Sequence, residues 1–118
     1  MDTKSMMQVA TILLALTAAG GLVMAGIRFA GADRPPSWIA MAHGLLGGAA
    51  LTLLIYAGLA GGIPKMAWAG VCVLVLAALG GVYLNLAYHD KHSPLPKQII
   101  VVHAIIAVVG FVLVFLSQ

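Results

Sequence analysis

The chain has 118 residues, 63% of them hydrophobic and only 8% charged, with a formal net charge of +3 and a mean hydropathy of +1.11. That balance excludes an ordinary soluble domain, where charged residues make up about a quarter of the sequence. Nucleic-acid binding is excluded as the reason for the positive charge, because the six Lys and Arg residues sit only at the ends of apolar runs or in the short connections between them.

Four apolar runs follow one another, at about residues 6–29, 37–60, 65–88 and 97–117. Each is long enough to cross a hydrocarbon core of ~30 Å as a helix. A barrel strand would show ~10-residue alternation instead of continuous Ala, Gly, Leu and Val. The sequence therefore predicts an all-α fold, an integral membrane four-helix bundle forming one domain over residues 1–118, with the lipid bilayer as its first partner.

In chain order, the first helix follows a weakly charged leader, Met1 to Lys4, and its apolar run exceeds a signal-peptide core, so a retained helix is expected. It carries Gly20-Gly21 and ends near Arg28. Ala32 to Pro36 connects it to the second helix, which contains His43. Gly61 to Lys65 leads into the third helix, which carries Cys72, Gly80-Gly81 and Asn85. His89 to Pro96 leads into the fourth, which contains His103. Connections this short make sequential helices antiparallel neighbours, so the first and third connections share one membrane face.

An offset of 60 residues aligns the chain with itself: Gly20-Gly21 with Gly80-Gly81, Pro36 with Pro96, Ile39 with Ile99, and His43 with His103. This predicts two tandem two-helix repeats, related by a pseudo-twofold axis along the membrane normal. Each histidine lies seven residues after its proline, which places both roughly 10 Å below the same face. The glycine pairs fall at nearly that depth.

A flat macrocycle accounts for this layer. Haem iron held from both sides needs two neutral imidazoles on opposed helices, and residues without side chains allow the other two helices to approach the ring edges. Two other readings stay open on the residues alone. A lone intramembrane histidine can hydrogen-bond a neighbouring helix, or it can serve another metal or a proton relay.

On His43, His103, Gly20, Gly21, Gly80 and Gly81, the chain resembles the membrane cytochromes b, whose four-helix bundles hold haem b between histidines of the second and fourth helices with glycines on the first and third. The resemblance spans nearly the whole chain as a pattern. It implies haem b as cofactor and iron ligation by His43 and His103. Many relatives carry two haems and two histidines on each liganding helix. One histidine per helix here implies a single haem near the His43 face.

With two axial histidines no coordination position stays open, so outer-sphere electron transfer is expected. The partners would be a membrane quinone, a redox partner protein or a second copy of the chain. The liganding nitrogen is expected to be Nε2, with Nδ1–H donating to a carbonyl one turn back, such as that of Ile39 or Ile99. Arg28 is the candidate for the haem propionates, since its planar fork matches a carboxylate, with a snorkelling interfacial arginine as the plain reading. Asn85 is a second polar candidate in the same layer, with helix–helix hydrogen bonding as the plain reading.

His89 and His92 flank Asp90 and Lys91 and are read as solvated loop residues, a proton relay to a quinone being the alternative. Four histidines with Asp33 and Asp90 define a rival zinc or copper site. Cys72 is expected to pack inertly. Trp38, Trp68, Tyr56 and Tyr88 sit near helix ends, where aromatic belts form. A multidrug transporter is opposed by the absence of a carboxylate within the first helix. No phosphate loop, nucleophile elbow or CxxC pair occurs. The competing class is a non-catalytic membrane subunit or metal-binding protein. Arg28, Arg34, Lys91 and Lys97 outnumber Lys4 and Lys65, which points to a cytoplasmic haem face in a prokaryotic inner membrane.

Overall fold

The computed structural model describes residues 1–118 as four long helices: α1 Thr3–Phe29, α2 Ser37–Ala60, α3 Lys65–Leu84 and α4 Lys97–Leu116, with a π-helical turn Asn85–His89 extending α3. The helices form a bundle of 44 × 22 × 21 Å. All four are long and apolar enough to cross a membrane, and the long dimension matches a bilayer of ~40–45 Å with its headgroups. Their outer surfaces carry exposed Leu22, Leu45, Leu59, Val102, Ile105 and Phe115, which suits helices whose outward faces meet lipid.

Local chemistry sets the helix boundaries. Asp2 caps α1, its Oδ1 accepting from the Ser5 N–H at 2.7 Å, so the helix starts three residues before the apolar run does. The other three helices begin directly after Pro36, Pro64 and Pro96. Proline has no N–H to leave unpaired at a helix start, and its fixed φ suits that position. Gly31 at φ +125° and Gly62 at φ +81° turn the chain after α1 and α2, a conformation that glycine adopts without a Cβ penalty.

Packing is strongest within the pairs α1–α2 and α3–α4, and sparser between α1 and α4 and between α2 and α3. The helices α2 and α4 lie diagonally opposite. In the second pair, a Cβ on Gly70 would stand 2.9 Å from the Gly110 carbonyl, and a Cβ on Gly110 would stand 3.1 Å from the Leu74 nitrogen. Backbone meets backbone there, as small residues permit in lipid. Gly58 gives Trp68 its seat between α2 and α3.

The closely packed core is Met7, Ala10, Leu14, Ala50, Leu54, Ala67, Val71, Leu74 and Val114. It fills the half of the bundle that holds the α2–α3 connection and both chain ends. Beyond Leu14 no residue of α1 is buried, and on α2 and α4 none is buried before Ala50 and Gly110. On these three helices burial thus stops about two turns from the histidine layer, while α3 keeps Ala77 and Leu84 buried.

At the far end of that layer the two connecting loops clasp each other. The Leu95 N–H donates to the Asp33 carbonyl at 3.0 Å. Arg28 donates from Nε to the Leu95 carbonyl at 2.9 Å and from Nη1 to the Ala32 carbonyl at 3.2 Å. His89 Nε2 donates to the Pro35 carbonyl at 2.8 Å.

Candidate functional site

The site begins with α1 and α2. These antiparallel helices approach closely at Thr17, whose Cγ2 lies 3.3 Å from where a Cβ on Gly47 would stand. One turn nearer the loops, the His43 ring fits against α1, and its Nδ1 lies 2.8 Å from the Thr17 carbonyl oxygen. A carbonyl only accepts, so Nδ1 carries the proton. In the neutral ring, Nε2 then holds the free lone pair.

The expectation of a carbonyl one turn back on the same helix is corrected here. Within a helix, the carbonyls of the preceding turn point along the axis and accept from their own N–H partners. The neighbouring helix offers Thr17 instead, because Gly21 leaves room for the imidazole against α1. A Cβ on Gly21 would come within 3.0 Å of His43 Cε1, whereas one on Gly20 would stay 3.9 Å away.

Between α3 and α4, His103 likewise lies against a glycine pair. A Cβ on Gly81 would lie 3.2 Å from His103 Cε1, and one on Gly80 would lie 3.6 Å from Nδ1. The carbonyl of Ala77 lies beside His103 Nδ1, yet no hydrogen bond closes, and this buried nitrogen has no partner. The two half-buried rings face each other across the bundle with centroids 6.2 Å apart and planes inclined at 67°.

The other candidates lie further from the pair. Arg28 is engaged in the loop clasp through both carbonyls described above. Asn85 is exposed and begins the π turn. That turn is closed by the Asp90 N–H donating to the Asn85 carbonyl at 2.8 Å and by the Ser93 N–H donating to the Tyr88 carbonyl at 2.9 Å. Residues five apart point about 140° away from each other on an α-helix, but the wider turn brings the Tyr83 and Tyr88 hydroxyls to 3.5 Å.

The reading of His89 as a solvated loop residue is overturned. It is buried, at 6% exposure, because the π turn carries it inward to the Pro35 carbonyl. His92 is exposed, in the left-handed region at φ 56°. Cys72 is likewise not packed inside the bundle but exposed on its outer surface.

No three His, Cys, Asp or Glu side chains gather into a metal-binding group. The rival site built from four histidines and two aspartates is therefore not assembled: His89 is tied to Pro35, and His43 and His103 stand apart from the loops. Sequence reasoning missed Thr17 and Ala77. Both lie at the same 60-residue offset as the histidines, and that offset was the available signal.

No protein-family model, curated protein or solved structure matches the chain.

Proposed function

We propose that this chain is a membrane-embedded b-type cytochrome that transfers electrons through one haem b ligated by His43 and His103. The facing of the two imidazoles across the bundle is the observation that carries the reading. Two imidazoles bound on opposite sides of one metal at about 2.0 Å per bond, with ring centres about 1.1 Å beyond each nitrogen, stand roughly 6.3 Å apart. The centroid distance of 6.2 Å fits that span.

The residues present suit the group in other respects. Nδ1–H of His43 is held by the Thr17 carbonyl, which orients the ring and leaves Nε2 to ligate. Gly21 and Gly81 keep the histidine helices against α1 and α3. On α1, α2 and α4 burial stops about two turns from this layer. Haem supplies a one-electron couple whose potential follows its axial ligands, burial and surrounding hydrogen bonds.

The chain's own contribution is positioning and exclusion of water. The loop clasp covers the layer on its nearer face, and the apolar core closes it on the other. Arg28 and Asn85 stand at that nearer face as candidates for propionate contacts. The two helix pairs form tandem repeats about an axis along the membrane normal, and this places both ligands at one depth. The task that follows is electron transfer to or from a quinone, with a redox protein or a second copy as partner, in a prokaryotic inner membrane with the haem face cytoplasmic.

A second reading has its own observation. The hydrogen bond from His43 to Thr17 is what a purely structural intramembrane histidine would make, in a non-catalytic subunit. Haem stoichiometry separates the two. Protein expressed with adequate haem should carry one haem b per chain, lost in the double variant His43→Ala/His103→Ala. A folded wild-type chain that purifies without haem favours the structural reading.

A further inference from the structure

Building on the haem reading above, we infer that the two imidazoles are unequal ligands: His43 is the fixed one and His103 the exchangeable one, so that a small diatomic ligand can take the coordination position on the His103 side.

The inequality lies in the groups behind the rings. Once Nε2 gives its lone pair to a metal, the proton on Nδ1 becomes more acidic and calls for an acceptor. His43 has one, the Thr17 carbonyl at 2.8 Å. Sixty residues on, His103 Nδ1 is buried beside the Ala77 carbonyl and closes no hydrogen bond with it.

Thr17 is itself held in place. Its hydroxyl donates to the Leu13 carbonyl at 2.7 Å, and its methyl fills the approach to Gly47 at the α1–α2 contact. Ala77, at the matching place in α3, has only its Cβ. His43 therefore has a hydrogen-bonded edge that His103 lacks. Outer partners of this kind are typically worth about 10–100-fold in metal affinity.

Exchange needs no change in electron count. The bond from His103 Nε2 to iron breaks, and the lone pair stays on the imidazole. The incoming ligand donates its own lone pair to the vacated position, while His43 stays bound opposite. The neutral imidazole needs no proton to leave.

Carbon monoxide added to the reduced, haem-loaded full-length protein tests this. Wild type should bind it, and in the adduct diethyl pyrocarbonate, read out by peptide mapping, should modify His103 and spare His43, because only His103 has released its Nε2. His103→Ala should keep its haem, and His43→Ala should bind haem about 10–100-fold more weakly. No carbon monoxide adduct in haem-loaded wild type, or an adduct in which His43 is modified or His103 stays unmodified, overturns the inference while leaving the haem reading intact. The labelling needs no variant, so it decides the matter even where His43→Ala does not fold. A wild-type chain that takes up no haem overturns both, and is recognised before any gas is added.

Discussion

His43 and His103 stand on helices that are diagonal neighbours rather than packed partners, and yet their rings approach to 6.2 Å between centroids. Each ring reaches that place by lying on a glycine of the helix before it. The distance between the histidines is thus set by the α1–α2 and α3–α4 contacts, and substitutions there should move the rings without touching them chemically.

Gly21→Ala places a Cβ 3.0 Å from His43 Cε1, whereas Gly20→Ala leaves 3.9 Å. Overpacking of this kind costs about 1–3 kcal/mol where neighbours cannot yield. Gly21→Ala should weaken haem retention and lower thermal stability in detergent, and Gly20→Ala should do neither. Equal behaviour of the two variants would count against the glycine contact.

Gly70→Ala should be the more damaging change for the bundle. Its Cβ would meet the Gly110 carbonyl at 2.9 Å and the Val114 nitrogen at 3.1 Å, and backbone atoms cannot rotate away. The α3–α4 pair must separate, with an expected loss of about 1–3 kcal/mol. Gly48→Ala, which meets nothing within 4 Å, serves as the neutral control. Size-exclusion profiles after a heat step would rank them.

The fold was legible in the sequence to the extent that one physical quantity dominated. Lengths of apolar sequence placed the four helices, and Pro36, Pro64 and Pro96 marked three starts. Asp2 moved the fourth start because a single hydrogen bond to the Ser5 amide outweighs the polarity of Thr3 to Ser5. The π turn was not legible, since nothing in Asn85 to His89 distinguishes a five-residue turn from an α-helical one until the loops are in place. His89 was misread for the same reason: its burial depends on Pro35, 54 residues away. At the candidate site, the 60-residue offset exposed the histidines and glycines. The carbonyl partner of His43 stayed hidden because every residue has a carbonyl, and only the relative height of two helices decides which one is used.

His89→Ala should test the loop clasp. Removing the imidazole leaves the buried Pro35 carbonyl without its donor, an expected loss of about 1–3 kcal/mol. Stability should fall and the 89–96 connection should become more sensitive to protease. The haem spectrum should not change, because His89 is no ligand.

Acid should loosen the start of α1 before the rest of the bundle. The Ser5 amide bond holds the Asp2 carboxyl below its ordinary value of 3.8. Folding contributes stability here above that ordinary value, and loses it as pH falls through the lower folded value. The protection of the Ser5 and Met6 amides, taken relative to their intrinsic exchange at each pH, should be constant from neutral pH down to about 4 and should fall below it. Asp2→Ala should show the low protection at every pH.

The central claim is that His43 and His103 together hold one haem. A reduced-minus-oxidised absorption spectrum of purified wild type beside His43→Ala and His103→Ala tests it most directly. The account predicts a six-coordinate low-spin haem b spectrum in wild type that each single substitution abolishes. A six-coordinate spectrum retained in His43→Ala, or no haem b band in wild type expressed with adequate haem, would contradict it.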